Sequence, residues 1–230
     1  MKSLSIILLL SLIIISTGCS KIPLNNPEPN NQYLGQEDFK KNISQGENMK
    51  KIAMIISPKG YQDVEFGTPY KFFKDQGATV DVYSTKKGTA YGSVGGTFNV
   101  EHTLSELNVS NYNAIVFVGG PGTPLLRSDP NSEKIAKDTI SAGKILGAIC
   151  WSPTILAKAG VLKGKNATVW YGPDSEFGML TSEYLEQQGA KYTGQSVTVD
   201  GNIITADGPT SAQKYADALW KKLIEKQVSH

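Results

Sequence analysis

Cysteine and histidine are scarce in this sequence of 230 residues, which contains two of each. The two cysteines, Cys19 and Cys150, are too few for the disulfide framework of a small secreted scaffold. No group of cysteines and histidines has the spacing of a metal site, and no P-loop is present. The sequence therefore predicts neither a metal nor another cofactor.

Blocks of like charge are also missing. The 23 Lys and Arg residues against 21 Asp and Glu residues give a net charge of +2, with no basic stripe that would neutralise a phosphate backbone. Nucleic acid is therefore not an expected partner. With 40% hydrophobic and 19% charged residues, the composition is typical of a globular chain that is long enough for one large domain.

The apolar run near the N-terminus, residues 4–15, is shorter than the roughly 20 residues that a bilayer-spanning helix needs. It has a basic start and ends in small residues, so we interpret residues 1–18 as a signal peptide. Cys19 follows Gly18 directly, which resembles the bacterial and archaeal lipobox, although Ser16 stands where Leu is usual. The resemblance implies that Cys19 is lipidated. The alternative is a plain secretory signal in which Cys19 is incidental.

Residues 19–49 are interpreted as the lipidated cysteine and a flexible tether, because they are rich in Asn, Gln, Pro and Glu and have no sustained apolar period. About thirty such residues span roughly 30 Å. We therefore expect an exported chain, anchored to the outer face of the cell membrane as a lipoprotein. A lipidated Cys19 cannot form a disulfide, which leaves Cys150 as the free thiol of the mature chain.

Residues 50–230 alternate short apolar runs with amphipathic segments, which is the pattern of βα units in one domain. Wholly apolar runs such as residues 145–149 are typical of strands in a parallel sheet that is covered on both faces. The prediction is an α/β fold with a mostly parallel central sheet. Predicted strands lie at 50–57, 78–84, 114–118, 145–149 and 168–170, predicted helices at 63–76, 131–142, within 173–188 and at 210–226, and predicted hairpins at 88–100 and 197–206.

Cys150 follows the buried strand at 145–149 and precedes Pro153, a residue suited to the first turn of a helix. Its thiol is therefore predicted at a helix N-terminus, where free N–H groups favour an anion. A helix end contributes at most about 2 kcal/mol, whereas lowering a thiol pKa from about 8.5 to about 5.5 takes roughly 4 kcal/mol. A strongly acidic thiol needs a further hydrogen-bond partner. The alternative is an inert cysteine that packs as a small hydrophobe.

Gly119 and Gly120 follow the predicted strand at 114–118 and begin a Gly-Gly-Pro-Gly turn. Ligands of open α/β sheets bind at the carboxyl ends of the strands, where this turn and Cys150 are both expected. Glycines allow a close backbone approach, so their N–H groups are candidate oxyanion donors, each worth about 3 kcal/mol in acyl-transfer sites. The alternative is an ordinary turn.

Five ordered motifs resemble those of the DJ-1/PfpI family, in the class I glutamine amidotransferase-like superfamily. They are QDVE at 62–65, VFVGGPG at 116–122, GAIC at 147–150, LKGK at 162–165 and DGNIITA at 200–206. The resemblance covers about residues 50–226 and implies a three-layer flavodoxin-like sandwich and a homodimer. It further implies that Cys150 is the nucleophile, that Glu65 is a protonated carboxyl contacting it, and that Gly119, Gly120 and Trp151 surround the oxyanion.

One departure from the family pattern bears on the activity. The protease-like members have His directly after the cysteine, whereas this chain has Trp151. His102 and His230 are interpreted as surface residues, so a Cys-His dyad is not expected and a peptidase is less favoured. Trp170 corresponds to a family position near the cysteine, and we expect it either to line an apolar pocket with Trp151 or to pack as ordinary core.

Three functions remain open at this stage. The first is Cys150 chemistry on a small carbonyl or acyl substrate, of the glyoxalase, deglycase or amidase kind that the resemblance implies. The second is a redox-responsive thiol that an oxidant converts to a sulfinate. The third is a small-molecule binding module that keeps the fold without the chemistry.

Overall fold

Residues 49–228 are described by the computed structural model of the chain. The predicted signal peptide, Cys19, nearly all of the predicted tether and His230 lie outside the described residues. The strands, in chain order, are β1 (Lys51–Ile55), β2 (Lys59–Tyr61), β3 (Thr79–Ser84), β4 (Gly88–Gly92), β5 (Thr97–Val100), β6 (His102–Thr103), β7 (Ala114–Phe117), β8 (Ile145–Ile149), β9 (Asn166–Ala167), β10 (Pro173–Asp174), β11 (Met179–Leu180), β12 (Lys191–Tyr192), β13 (Val197–Asp200) and β14 (Ile203–Ala206).

The central sheet has seven strands within the described part of the chain, in the order β13–β14–β8–β7–β1–β3–β6. Every neighbouring pair is parallel except the hairpin of β13 and β14, which turns at Gly201. The predicted α/β fold with a mostly parallel central sheet is confirmed. The carboxyl ends of β1, β7, β8 and β14 meet at one edge of this sheet, which is where Cys150 lies.

Helices cover both faces of the sheet. They are α1 (Asp63–Asp75), α2 (Thr123–Arg127), α3 (Pro130–Ser141), α4 (Pro153–Lys158), α5 (Thr181–Gln187) and α6 (Ala212–Val228). Alternate residues of β1 point to opposite faces, so Ile52 packs with α1 and α6 while Ala53 packs on the side of α3, α4 and α5. The result is a three-layer sandwich. No helix within residues 49–228 combines the length and the apolar character that crossing a membrane requires.

The glycine-rich segment that follows β3 forms the predicted hairpin, with β4 and β5 antiparallel. Together with β2, this hairpin makes a small sheet outside the central layer. The side chain of Asp63, in the first turn of α1, accepts hydrogen bonds from the backbone N–H groups of Val94 at 2.9 Å and Gly96 at 2.6 Å. The hairpin is thereby tied to the start of the helix that carries Glu65.

One prediction of secondary structure is wrong. Residues 168–170 do not form a strand, because Thr168 donates its backbone N–H to the side chain of Thr205 (2.8 Å) and Trp170 donates to the carbonyl of Cys150 (2.8 Å). These bonds replace a regular ladder. The helix predicted within residues 173–188 is present as α5 (Thr181–Gln187), and the antiparallel pair of β10 and β11, with Gly178 at φ 64°, precedes it.

Candidate active site

Cys150 has a backbone conformation that sets it apart. Its φ of 62° lies in the left-handed region, and it is the single non-glycine residue with positive φ in the part of the chain that the structure describes. Such a conformation costs of order 1–3 kcal/mol. Two hydrogen bonds hold it, from the Cys150 N–H to the carbonyl of Ala206 and from the Trp170 N–H to the carbonyl of Cys150, both 2.8 Å. The turn aims the thiol out of the end of β8 and leaves Cys150 only 7% exposed.

Glu65 approaches Cys150 from the first turn of α1. Gln62 caps this helix by accepting from the N–H groups of Val64 (2.6 Å) and Glu65 (3.1 Å). The carboxyl of Glu65 is 0% exposed, and neither oxygen has a hydrogen bond of ordinary geometry among the described residues. The thiol of Cys150 and the N–H of Gly119 are the groups placed to hydrogen-bond it.

Gly119 leaves the space that lets these two side chains meet. A Cβ at this position would lie 2.6 Å from Cβ of Cys150 and 2.7 Å from Oε2 of Glu65, and 2.5 Å from the carbonyl oxygen of Ile149. All three distances are too short for a carbon atom. A glycine is therefore required for the contact between the thiol and the carboxyl.

Burial controls the ionisation of both groups. Desolvation raises the pKa of Glu65 to about 8, with a small further rise from the charge of Asp207, while hydrogen bonds from Cys150 and Gly119 oppose it. Glu65 consequently carries a proton at neutral pH. Burial also raises the pKa of the Cys150 thiol, and an ionised Glu65 raises it further. The two groups titrate as a coupled pair that holds at most one negative charge near neutral pH.

Backbone N–H groups supply the opposing contribution at the sulfur. Hydrogen bonds from the N–H groups of Gly120 and Trp151 lower the pKa of the Cys150 thiol, although less than burial raises it. The N–H of Gly119 is directed at the carboxyl of Glu65 instead. Of the three predicted oxyanion residues, the structure thus brings two to the sulfur and one to its partner. The φ of Gly120 is positive, 113°, and would strain any other residue.

Two tryptophans pack against the core cluster that contains Cys150. The rings of Trp151 and Trp170 lie 5.5 Å apart between centroids, at 45°, and both residues are half-buried. The indole Nε1–H of Trp151 donates to Oδ2 of Asp174 at 2.8 Å. Among the residues that the structure describes, no imidazole stands there, because His102 is exposed on the edge strand β6, next to the ring of Tyr83.

The sequence of this chain is similar to those of known proteins. A model described as the DJ-1/PfpI family matches residues 50–222. The chain belongs to the DJ-1/PfpI family. An uncharacterised protein of Methanocaldococcus jannaschii is 41% identical over 172 residues, which are 74% of this chain and 81% of that protein.

Two further DJ-1/PfpI relatives bear on activity and fold. A protein named deglycase PfpI, from Pyrococcus furiosus, is 30% identical over 156 residues, covering 68% of this chain and 89% of that one. The crystal structure of a ThiJ/PfpI domain protein from Brachyspira murdochii has a TM-score of 0.71 at 31% identity and covers 77% of this chain and 99% of that one. At the level of the family, these likenesses support cysteine-based chemistry of the deglycase or amidase kind.

A cleft of about 360 Å³ adjoins the cysteine turn of this DJ-1/PfpI chain. It is lined by Trp170, Tyr171, Tyr192 and Asp207, among others. Trp170 and the residue before Asp207 are bonded to the backbone of Cys150, so the cleft lies directly beside the turn. Within residues 49–228, no group of three or more His, Cys, Asp or Glu side chains is placed to hold a metal ion.

Sequence reasoning missed Arg127 and Asp174. Arg127, in α2, is 2% exposed and Asp174, in β10, is 1% exposed, and their side chains form an ion pair at 2.7 Å. Neither residue belongs to the five motifs that carry the family resemblance. The two are 47 positions apart in the sequence, so no local pattern indicated that they meet.

Proposed function

We propose that Cys150 is a nucleophile toward a small carbonyl or acyl substrate, with Glu65 as its acid and base. The observation that carries this proposal is the left-handed conformation of Cys150, which aims its sulfur at a buried protonated carboxyl and two backbone N–H donors. Strained backbone of this kind persists at sites where surrounding structure over-determines it. An inert core cysteine needs none of these features.

The chemistry follows from the shared charge of the pair. When the pair carries a negative charge, that charge lies mainly on Glu65, because burial raises the pKa of the Cys150 thiol above its ordinary value near 9. The reactive form is the less populated one, in which the sulfur is a thiolate and Glu65 keeps the proton. The sulfur forms a bond with the carbonyl carbon of an aldehyde, the carbonyl π electrons move to oxygen, and the proton of Glu65 passes to that oxygen. The product is a neutral hemithioacetal on Cys150 and a Glu65 carboxylate. With methylglyoxal, this carboxylate takes the proton of the former aldehyde carbon and returns it to the neighbouring carbonyl carbon, and water then cleaves the resulting thioester to lactate, which frees the Cys150 thiol and returns a proton to Glu65.

The walls of the site favour a small substrate. Trp151 and Trp170 pack against the core cluster that contains Cys150, and Cys150 is only 7% exposed. The position after the cysteine offers no imidazole, which removes the group that, once protonated, would act as the general acid toward a leaving amine in a peptidase of this family. Relatives that are named deglycases lend support to carbonyl chemistry.

Consumption of methylglyoxal by the purified chain tests the proposal. We expect slow turnover that Cys150→Ala abolishes and that Glu65→Gln lowers by about 10²-fold, the usual worth of a positioned acid or base. Glu101→Gln, an exposed carboxyl away from the site, is the matched control and should match the wild type. Full turnover in Cys150→Ala would contradict the proposal. Absence of turnover, with conversion of Cys150 to a sulfinic acid by mild peroxide, would instead support a redox-responsive thiol.

We also propose that the chain is exported and lipid-anchored through Cys19. The support is sequence alone: a short apolar run, small residues and a cysteine in the order of a lipobox. Mass spectrometry of the mature N-terminus should find a lipid on Cys19, and Cys19→Ser should release the chain from the membrane fraction. An unmodified Met1 at the N-terminus of the mature chain would contradict this.

A further inference from the structure

The buried ion pair of Arg127 and Asp174 lies next to the cysteine turn. Nη1 of Arg127 donates to Oδ2 of Asp174 at 2.7 Å, and Nη2 donates to Oδ1 at 3.2 Å, so the guanidinium engages both carboxylate oxygens. Such two-point contacts fix the orientation of both planar groups. Neither side chain is exposed to solvent. The carboxylate of Asp174 therefore has a defined position inside the protein.

Further contacts hold the pair from several sides. Nη1 of Arg127 also donates to Oγ1 of Thr154 at 2.9 Å, and its guanidinium carbon lies 4.0 Å from the centroid of the Phe177 ring. Nη2 also contacts the half-exposed carboxylate of Glu176. The backbone N–H of Glu176 donates to Oδ1 of Asp174 at 3.0 Å. Residues of α2, α4 and the β10–β11 hairpin thus surround one carboxylate.

Trp151 uses that same carboxylate. Its Nε1–H donates at 2.8 Å to Oδ2 of Asp174, the oxygen that also accepts from Arg127. Because the indole has one polar atom, this bond selects the orientation of the ring. Trp151 directly follows Cys150, and its ring faces that of Trp170. The bond therefore determines where one wall of the thiol site stands.

We propose that Asp174, anchored by Arg127, is a positioning residue that holds the Trp151 indole beside Cys150 and thereby limits the size of molecules that reach the thiol. The proposal deepens the proposed function, since it sets the size class of the substrate at the same sulfur.

The ion pair does not need Trp151 in order to join its own elements. Arg127 already ties β10 to α2 and α4 through Asp174 and Thr154. Buried ion pairs can often be replaced by apolar side chains of similar size without loss of stability. The hydrogen bond from the Trp151 indole to Asp174 is thus not needed for the ion pair. Its effect on access to Cys150 can therefore be separated by mutation from the effect of the ion pair on stability.

Alkylation of Cys150 measures access to the thiol, whether or not the chain turns over a substrate. The full chain is treated with iodoacetamide, a small reagent, or with fluorescein-5-maleimide, a bulky one, and modification of the Cys150 peptide is followed by mass spectrometry. The quantity compared is the ratio of the alkylation rate with the small reagent to the rate with the bulky reagent. Replacing the ion pair by Arg127→Met with Asp174→Leu should lower this ratio by about fivefold, the factor that one net hydrogen bond provides. Glu176→Gln touches Arg127 but not the indole, and should leave the ratio unchanged.

A double-mutant cycle separates positioning from a general structural role. In a Trp151→Phe background, which lacks the indole N–H, the Arg127→Met and Asp174→Leu pair should change the ratio no further. An equal change in both backgrounds, or an equal change in both alkylation rates, overturns the proposal.

If the Arg127 and Asp174 double variant does not fold, Trp151→His serves in its place, because it keeps a ring N–H for Asp174. The ratio should then stay higher in Trp151→His than in Trp151→Phe, and equal ratios in the two refute the inference. A methylglyoxal assay without turnover would count against the proposed function and leave these ratios as they are.

Discussion

Glu65→Gln should change how the stability of the chain depends on pH. The carboxyl is 0% exposed, and burial raises its pKa from about 4.5 to about 8. At about 1.4 kcal/mol per pH unit, this rise corresponds to about 5 kcal/mol. The folded chain binds the Glu65 proton more tightly than the unfolded chain does. The contribution to the free energy of unfolding is therefore complete below pH 4.5 and is lost as the pH rises to about 8.

The neutral amide of Glu65→Gln cannot lose a proton, so this contribution to the pH dependence disappears. We expect the wild type to lose several kcal/mol of stability relative to Glu65→Gln between pH 5 and pH 8.5. The assay is urea unfolding of both chains at several pH values across this range. The Cys150 thiol does not interfere, because its pKa is raised from an ordinary value near 9 and its own loss lies above the range.

Glu101→Gln supplies the matched control, since it removes one carboxyl from an exposed position. Its stability profile should run parallel to that of the wild type. All other ionisable groups are common to the three chains and cancel in the comparison. If Glu65→Gln and the wild type lost stability with pH at the same rate, the reasoning that burial keeps Glu65 protonated would be refuted.

Two other variants probe the same site. Gly119→Ala places a Cβ 2.6 Å from that of Cys150. It should therefore lower the free energy of unfolding in urea by about 1–3 kcal/mol and slow alkylation of the Cys150 thiol. Wild-type values for both measurements would contradict the tight fit. Trp151→His introduces an imidazole that the carboxylate of Asp174 can keep charged, and a cation beside a thiol lowers its pKa. The rate of Cys150 alkylation by iodoacetamide at pH 7 should accordingly rise about tenfold, which corresponds to a thiol pKa lower by about one unit. Adding Asp174→Asn should return the rate to that of the wild type. A faster rate that persists with Asp174→Asn would show that the carboxylate is not its source.

The central sheet was predictable because its signal is local. A wholly apolar run such as β8 has to be buried on both faces, and the alternation of such runs with helices leads to a parallel sheet. The same logic placed Cys150 at the end of a buried strand. The hairpin of β13 and β14 was equally readable, since Gly201 supplies the positive φ that its turn requires.

The wrongly predicted strand at 168–170 and the unpredicted pair of β10 and β11 have a shared cause, which is contact with residues distant in the sequence. Thr168 donates its backbone N–H to the side chain of Thr205, and Trp170 donates its own to the carbonyl of Cys150. Neither bond belongs to a regular strand ladder. Asp174 is drawn into β10 by an arginine that is far away in the sequence. Secondary-structure propensity and hydrophobic periodicity depend on residues that are close in the sequence, so they do not predict such contacts.

The sequence by itself determined the fold class, the family and the position of the cysteine, because apolar periodicity and short motifs are written along the chain. It also predicted Glu65 as the partner, through the resemblance of its motif. Only the tertiary structure decided the ionisation of that pair, because desolvation depends on what surrounds a group from every direction. Only the tertiary structure, likewise, brought Arg127 and Asp174 together behind Trp151, since no local pattern encodes a contact between residues 47 positions apart.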